Sequence, residues 1–115
     1  MRWQRWFLLG GSVYNAAWVA ALLAAPASVL ASVPPYLELL VAGVALEGLG
    51  MLVGAVRYVR WILTLVLLGK VLGPLVFVAL VHLGAFHASS WWLSLVNDVL
   101  WIPPLLAIVR GKERW

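Results

Sequence analysis

Four long apolar stretches, each close to the length of a membrane-spanning helix, dominate the sequence. A helix rises about 1.5 Å per residue, so it needs about 20 residues to cross about 30 Å of hydrocarbon. Prolines, arginines or small polar residues separate one stretch from the next. The stretches cover residues 7–25, 36–56, 61–82 and 91–109. They predict an all-α fold, an antiparallel four-helix bundle integral to a membrane, in which residues 1–115 form a single transmembrane domain.

The composition supports a membrane location. Hydrophobic residues make up 65% of the chain and charged residues only 10%, whereas a soluble domain carries about 25% charged residues and fewer than half apolar ones. So little charge cannot cover a water-exposed surface, and the lipid bilayer is therefore the expected partner. The chain has no cysteine, which excludes thiol chemistry and disulfides.

The basic residues predict the orientation of the helices. Seven of the eight lysines and arginines flank the apolar stretches at one end, and the other two connecting segments contain none. The seven are Arg2, Arg5, Arg57, Arg60, Arg110, Lys112 and Arg114. By the positive-inside rule, both termini are expected in the cytoplasm. Because these charges are accounted for as topology signals, nucleic acid is not an expected partner.

The first apolar stretch has an alternative interpretation as a signal peptide. Its basic start and the small residues around Ala27 are typical of a cleaved leader. Its apolar part is long for a leader, however, and it contains Asn15. We therefore expect this stretch to be retained as a membrane span.

Five strongly polar residues interrupt the apolar stretches, namely Asn15, Glu47, Lys70, Asn97 and Asp98. At 1.5 Å per residue, all five lie roughly 12–18 Å from the cytoplasmic end of their stretch, near the membrane midplane. A lone charge at that depth costs at least about 2.5–3.5 kcal/mol. We therefore expect Lys70 to pair with Asp98, with Glu47 as a third member and the two asparagine amides completing the hydrogen bonds.

The charges of this polar layer do not cancel. Glu47 and Asp98 carry two negative charges when ionised, and Lys70 carries one positive charge. An unpaired charge is unfavourable in a low dielectric, so the layer should take up a proton or a cation, with Glu47 as the surplus acid. Proton relays and coupled carriers use sites of this kind. The alternative is that the polar layer only clamps the helices together.

Prolines within two of the apolar stretches predict irregular helix geometry. Pro74 lacks an N–H group and follows Lys70 by four residues, so it should kink its helix and leave the Lys70 carbonyl free. Pro103 and Pro104 should disturb the helical turn around residues 99–100. Two irregular helices around a charged layer favour a cavity over a fully packed interior.

Aromatic and glycine residues share helix faces with the polar layer. Trp18 follows Asn15 by three residues and Trp101 follows Asp98 by three, so both are candidate walls of a cavity, or alternatively lipid-facing side chains. The face of Glu47 carries three glycines, which predict close helix packing. They are Gly43, Gly50 and Gly54. The two histidines lie at an outer end without a nearby carboxylate, so neither a metal site nor a cofactor is expected.

Three short motifs resemble the signature segments of a family of small four-span bacterial membrane proteins of unsettled function, some of which are labelled alkyl hydroperoxide reductase. The matching residues are Tyr14, Asn15 and Trp18, then Gly69, Lys70, Gly73 and Pro74, and finally Asn97, Asp98 and Trp101. This chain has Pro103–Pro104 where the family tends to have Pro-Phe. The resemblance implies a four-span protein of the bacterial inner membrane with an important polar layer. The reductase label does not carry over, because thiol peroxidases need a cysteine.

Three classes of function fit the sequence. The first is a binding or transport protein for a small solute or a proton, which uses the polar layer together with Tyr14, Trp18 and Trp101. The second is an accessory subunit of a larger membrane complex. The third is a membrane enzyme or redox module that acts on a lipid, quinone or haem, and the lack of a nucleophile or metal motif disfavours it. Because one chain makes only a small bundle, a transport path would form more easily in a homo-oligomer.

Overall fold

A computed structural model describes residues 2–24, 36–84, 87, 89 and 91–115, and every regular element in this part of the chain is helical. Residues 25–35, which separate the first two apolar stretches, lie outside the described residues. The described residues form five α-helices, with a short 3-10 turn at Val99–Trp101 between the last two. They are α1 (Trp3–Ala24), α2 (Tyr36–Val56), α3 (Arg60–His82), α4 (Trp91–Asn97) and α5 (Ile102–Arg110).

The first three helices have the length and composition of membrane spans. Each is at least 18 residues long, is apolar on average and has very few charges; the three cover Trp3–Ala24, Glu38–Val56 and Arg60–His82. The predicted all-α fold with apolar helices long enough to cross a membrane is thereby confirmed for these three segments. Most of their residues are not buried by the rest of the chain, as expected for helices whose apolar exteriors face lipid.

The fourth apolar stretch differs from the single helix expected over residues 91–109. Helix α4 ends at Asn97, Asp98 has φ −120° and ψ −60°, and α5 begins after the 3-10 turn. Pro103 and Pro104 cannot donate hydrogen bonds to the carbonyls one turn before them, and their rings clash with those carbonyls. Both prolines are tolerated in the first turn of a new helix, where the N–H groups have no intrahelical partner. The predicted disturbance around residues 99–100 is therefore present as a break.

Helices α1 and α2 approach each other closely through small residues. A Cβ atom added to Gly48 would lie 2.9 Å from the Cβ of Asn15, and one added to Gly11 would collide with the side chain of Met51. Close approach of this kind needs glycine on at least one helix. The contact buries Asn15 completely.

Helices α2 and α3 also pack through glycines. A Cβ atom on Gly50 would lie 2.7 Å from Val66, and one on Gly54 would lie 2.5 Å from Leu63. The sequence predicted close packing at these two glycines and at Gly43. Gly43 has no atom within 4 Å of such a Cβ, so the prediction is confirmed for Gly50 and Gly54 only.

The last turn of α2 accepts hydrogen bonds from α1 and from the segment after α5. The indole N–H of Trp115 donates to the carbonyl of Gly54 at 2.6 Å, and the guanidinium of Arg5, on α1, donates to the carbonyl of Ala55 at 2.8 Å. The N–H of Tyr58 donates to the Trp115 carbonyl at 3.0 Å. The carbonyls in the last turn of a helix lack intrahelical partners, so these side chains satisfy groups that would otherwise be unpaired.

Candidate functional site

Lys70 on α3 is fully buried, and its ammonium group faces three oxygen atoms. Its Nζ lies 2.7 Å from Oε2 of Glu47 on α2 and 3.8 Å from Oδ1 of Asp98. The ammonium also donates a hydrogen bond to the backbone carbonyl of Asn97 at 2.9 Å. An ammonium group has three N–H donors, and here they face oxygens from α2 and from the junction after α4. We call Glu47, Lys70 and Asp98 the ion cluster.

The order of pairing in the ion cluster differs from the sequence-based expectation. The expected approach of Lys70 to Asp98 within ion-pair distance is present. Glu47, however, is about one ångström closer to Nζ and within hydrogen-bonding distance, whereas Asp98 is beyond it. The expectation that Glu47 is the surplus acid is therefore wrong, because Glu47 is the direct partner of Lys70. Asp98 is the carboxylate held less tightly.

Two glycines on α3 make room for the two carboxylates. A Cβ atom on Gly69 would lie 2.6 Å from Oε1 of Glu47, and one on Gly73 would collide with the carboxylate of Asp98. Residues 69 and 73 are four apart and lie on one helix face, on either side of Lys70. Sequence reasoning gave neither glycine this function; their spacing around a buried lysine was the signal that could have shown it.

The break in the fourth segment presents both Asn97 and Asp98 to Lys70. In a continuous helix, the carbonyl of Asn97 would accept the N–H of Trp101. In the 3-10 turn, that N–H instead donates to the carbonyl of Asp98 at 3.2 Å. The carbonyl of Asn97 is thus free to accept the hydrogen bond from Lys70. Asn97 therefore contacts Lys70 through its backbone carbonyl, and its side-chain Oδ1 has no hydrogen-bond partner in the described part of the chain.

Trp101 forms an aromatic wall next to the ion cluster, as one of the two interpretations of the sequence expected. The Nζ of Lys70 lies 5.9 Å from the centre of its ring, within the range of a cation–π contact. The other neighbours of Trp101 are rings of α1, with centroids at 5.1 Å from those of Phe7 and Tyr14. Its indole N–H donates to the carbonyl of Val96 at 3.0 Å, which fixes the orientation of the ring.

Asn15 and Trp18 lie on the α1–α2 side of the molecule. The Asn15 amide donates to the carbonyl of Gly11 at 2.8 Å and faces the sulfur of Met51. Asn15 also lines a groove of about 450 Å³ between α1 and α2. Trp18 packs in a second cluster around Leu22 and contacts the ring of Tyr14 at 6.4 Å. Among the described residues, neither of the two contacts the ion cluster directly. Trp18 contacts Tyr14, Tyr14 contacts Trp101, and Trp101 lies next to Lys70.

Three buried polar atoms on the expected site residues have no hydrogen-bond partner in the described part of the chain. They are the hydroxyl of Tyr14, Oδ1 of Asn15 and Oδ1 of Asn97. A buried polar atom without a partner costs about 1–3 kcal/mol, so native proteins rarely retain one without a reason. These atoms are free to accept a hydrogen bond from, or donate one to, a polar group that enters the interior.

The ion cluster carries one ammonium against two carboxylates, a formal charge of −1 when all three are ionised. Among residues 2–24, 36–84, 87, 89 and 91–115, no group of three or more His, Cys, Asp or Glu side chains could hold a metal ion.

Comparisons with models of protein families, with curated proteins and with solved structures found no match for this chain.

Proposed function

We propose that this protein is a multi-pass protein of the bacterial cytoplasmic membrane that binds and carries a proton, alone or together with a small solute. The observation that carries the proposal is the buried ion cluster with one carboxylate in excess, located at a helix break. A charged group inside a membrane helix is costly and usually marks an ion or proton path. The resemblance of the three motifs to small four-span bacterial proteins agrees with this placement.

The proposal includes four antiparallel segments that cross the membrane. It is supported by the three long apolar helices and by the direction of the contacts between them. Gly11 contacts Met51, and Asn15, further along α1, contacts Gly48, which comes earlier on α2. The two helices therefore run antiparallel. The fourth crossing consists of α4, the 3-10 turn and α5. Two half-helices in place of one helix are a common way for transporters to build a binding site at the midplane.

The proposed topology places both termini in the cytoplasm, and single cysteines test it. Because the chain has no cysteine, Lys112→Cys and Ser89→Cys each introduce the only thiol. In spheroplasts, a membrane-impermeant maleimide should label Ser89→Cys at once and Lys112→Cys only after the membrane is permeabilised. The basic ends predict this result. The reverse pattern, or equal labelling of both sites, would contradict the topology.

Asp98 is the proposed site of proton exchange. Glu47 is the direct partner of Lys70 at 2.7 Å, whereas Asp98 is 3.8 Å away and occupies the helix break. Protonation of Asp98 makes the ion cluster neutral. A neutral cluster has a smaller desolvation penalty in the low-dielectric interior, so a conformational change that exposes it first to one side of the membrane and then to the other needs less free energy. Movement of α4 relative to α5 at the break would change the side from which Asp98 is reached.

Proton flux into liposomes tests this function. We expect purified protein to carry protons down an imposed potential, measured with an enclosed pH-sensitive dye. Asp98→Asn should reduce the flux to that of protein-free liposomes, because the amide cannot take up a proton. Glu38→Gln is the matched control, since Glu38 is an exposed acid at the start of α2 and outside the ion cluster. Its flux should equal that of the unaltered protein.

A second candidate is an accessory subunit of a larger membrane complex. The observation in its favour is that Lys70 connects α2, α3 and the fourth segment through two hydrogen bonds and one longer ion pair, as an interhelical clamp would. In that case the liposomes should show no flux above the protein-free background. Purification from the native membrane in a mild detergent should then recover the chain with partner subunits.

A further inference from the structure

Five exposed cations at one end of the molecule have no carboxylate partner among the described residues. The side chain of Arg114 contacts the Tyr58 ring and two backbone carbonyls. The other four are Arg57, Arg60, Arg110 and Lys112. The one surface ion pair in the described part of the chain joins Arg2 to Glu113 at 3.0 Å. Glu113 also accepts a hydrogen bond from Gln4 at 2.8 Å, so this carboxylate is already engaged by the N-terminal part of the chain. We call these four residues the basic rim.

Tyr58 brings the two halves of the basic rim together. Its hydroxyl donates to the carbonyl of Val109 at 3.3 Å, and its N–H donates to the carbonyl of Trp115 at 3.0 Å. Its ring lies 5.2 Å from the ring of Trp115 and 4.1 Å from the guanidinium of Arg114. The turn between α2 and α3 is therefore fixed against residues 109–115. Like charges are held together here by aromatic and backbone contacts, without a carboxylate to neutralise them.

The depth of the basic rim fits the headgroup layer of a bilayer. Trp61 follows Arg60 directly and is 66% exposed, and an indole ring favours the boundary between headgroups and hydrocarbon. A guanidinium binds a phosphate through two parallel hydrogen bonds. Like-charged, unpaired guanidinium groups at this depth are complementary to phosphate groups.

We propose that the basic rim binds the phosphate groups of anionic phospholipids. This inference concerns a different site from the ion cluster and rests on the proposed membrane placement. Each cation near a membrane surface contributes about a fivefold preference for anionic lipid, and the preferences multiply. Loss of two cations of the rim should therefore weaken the preference about 25-fold.

The test is native mass spectrometry of the protein in detergent with phosphatidylglycerol and phosphatidylcholine of the same acyl chains. We expect the unaltered protein to retain phosphatidylglycerol in preference to phosphatidylcholine. Arg57→Gln combined with Arg60→Gln should remove most of this preference, and so should Arg110→Gln combined with Lys112→Gln. The double lysine variant, Arg57→Lys with Arg60→Lys, should keep most of it because the charge is retained. Arg2→Gln removes a cation that is already paired and should change the preference little.

Several outcomes would overturn the proposal. Equal retention of the two lipids by the unaltered protein would do so, and so would an Arg2→Gln effect as large as that of the rim variants. Displacement of phosphatidylglycerol by inorganic phosphate, but not by chloride at the same ionic strength, would show that soluble phosphate is the ligand. Failure to retain either lipid would likewise overturn the proposal, whereas the membrane placement is tested separately by the cysteine labelling. Circular dichroism establishes that each variant keeps its helical content, and the two glutamine pairs provide independent tests.

Discussion

Replacement of Lys70 by methionine is expected to lower the free energy of unfolding by about 3–5 kcal/mol, because it leaves two carboxylates in the interior without their cation. Lys70 is fully buried, and its ammonium is the partner of both Glu47 and Asp98. Methionine has a similar length and is apolar, so the loss reports the missing charge more than a missing volume. Denaturant unfolding in detergent, followed by circular dichroism, measures the change.

Neutralising the carboxylates should restore most of the stability that Lys70→Met removes. The triple variant with Glu47→Gln and Asp98→Asn contains no buried charge at the cluster, so the unfavourable electrostatic contribution disappears. The exposed Lys112 supplies the control, since Lys112→Met should change stability by no more than about 0.5 kcal/mol. If the single and triple variants lost the same free energy of unfolding, the three charges would not stabilise one another. That result would contradict the ion cluster.

The second large effect is expected for Gly73→Ala, which should destabilise the protein by about 1–3 kcal/mol. An added Cβ would collide with the carboxylate of Asp98 and push it away from Lys70. The substitution should also reduce proton flux, because it displaces the proposed exchange site. In an ordinary helix, the same change stabilises by about 0.5–1 kcal/mol, since glycine loses more backbone entropy on folding than alanine.

Gly43→Ala provides the matched control on α2. A Cβ atom at Gly43 has no neighbour within 4 Å, so this variant should show the ordinary stabilisation of about 0.5–1 kcal/mol. The two variants are thus expected to change stability in opposite directions. If Gly73→Ala stabilised the protein as much as Gly43→Ala, the side chain of Asp98 could not lie where the structure places it.

The outline of the fold and the site follows from features that one sequence displays directly. Apolar length predicts α1, α2 and α3, because a helix must be about 20 residues long to cross the hydrocarbon. The prolines after residue 102 predict the irregular fourth segment through a missing N–H donor and a steric clash. Depth along each helix also predicts that Glu47, Lys70 and Asp98 come together, because a buried charge needs a partner at the same level.

The rest of the site depends on quantities that one sequence does not contain. Whether Glu47 or Asp98 is closer to Lys70 is a matter of one ångström, and it is determined by the rotation of each helix about its axis. Asn15 illustrates a different difficulty, because its amide nitrogen donates to the carbonyl of Gly11 on its own helix. Depth alone placed it in the polar layer, whereas local hydrogen bonding of asparagine competes with contacts to other helices.

The positions of lysine and aspartate in this chain permit a direct test of the central claim, that Lys70 lies between two carboxylates. Asp98 is the only aspartate, and Lys70 and Lys112 are the only lysines. Solid-state NMR on protein in lipid, labelled with ¹⁵N at lysine Nζ and ¹³C at aspartate Cγ, therefore measures one short separation. We expect clear dipolar dephasing of the Asp98 signal, unchanged by Lys112→Gln and abolished by Lys70→Met, because Nζ lies 3.8 Å from Oδ1. No dephasing in the unaltered protein would show that Asp98 is not beside Lys70 and would contradict the ion cluster.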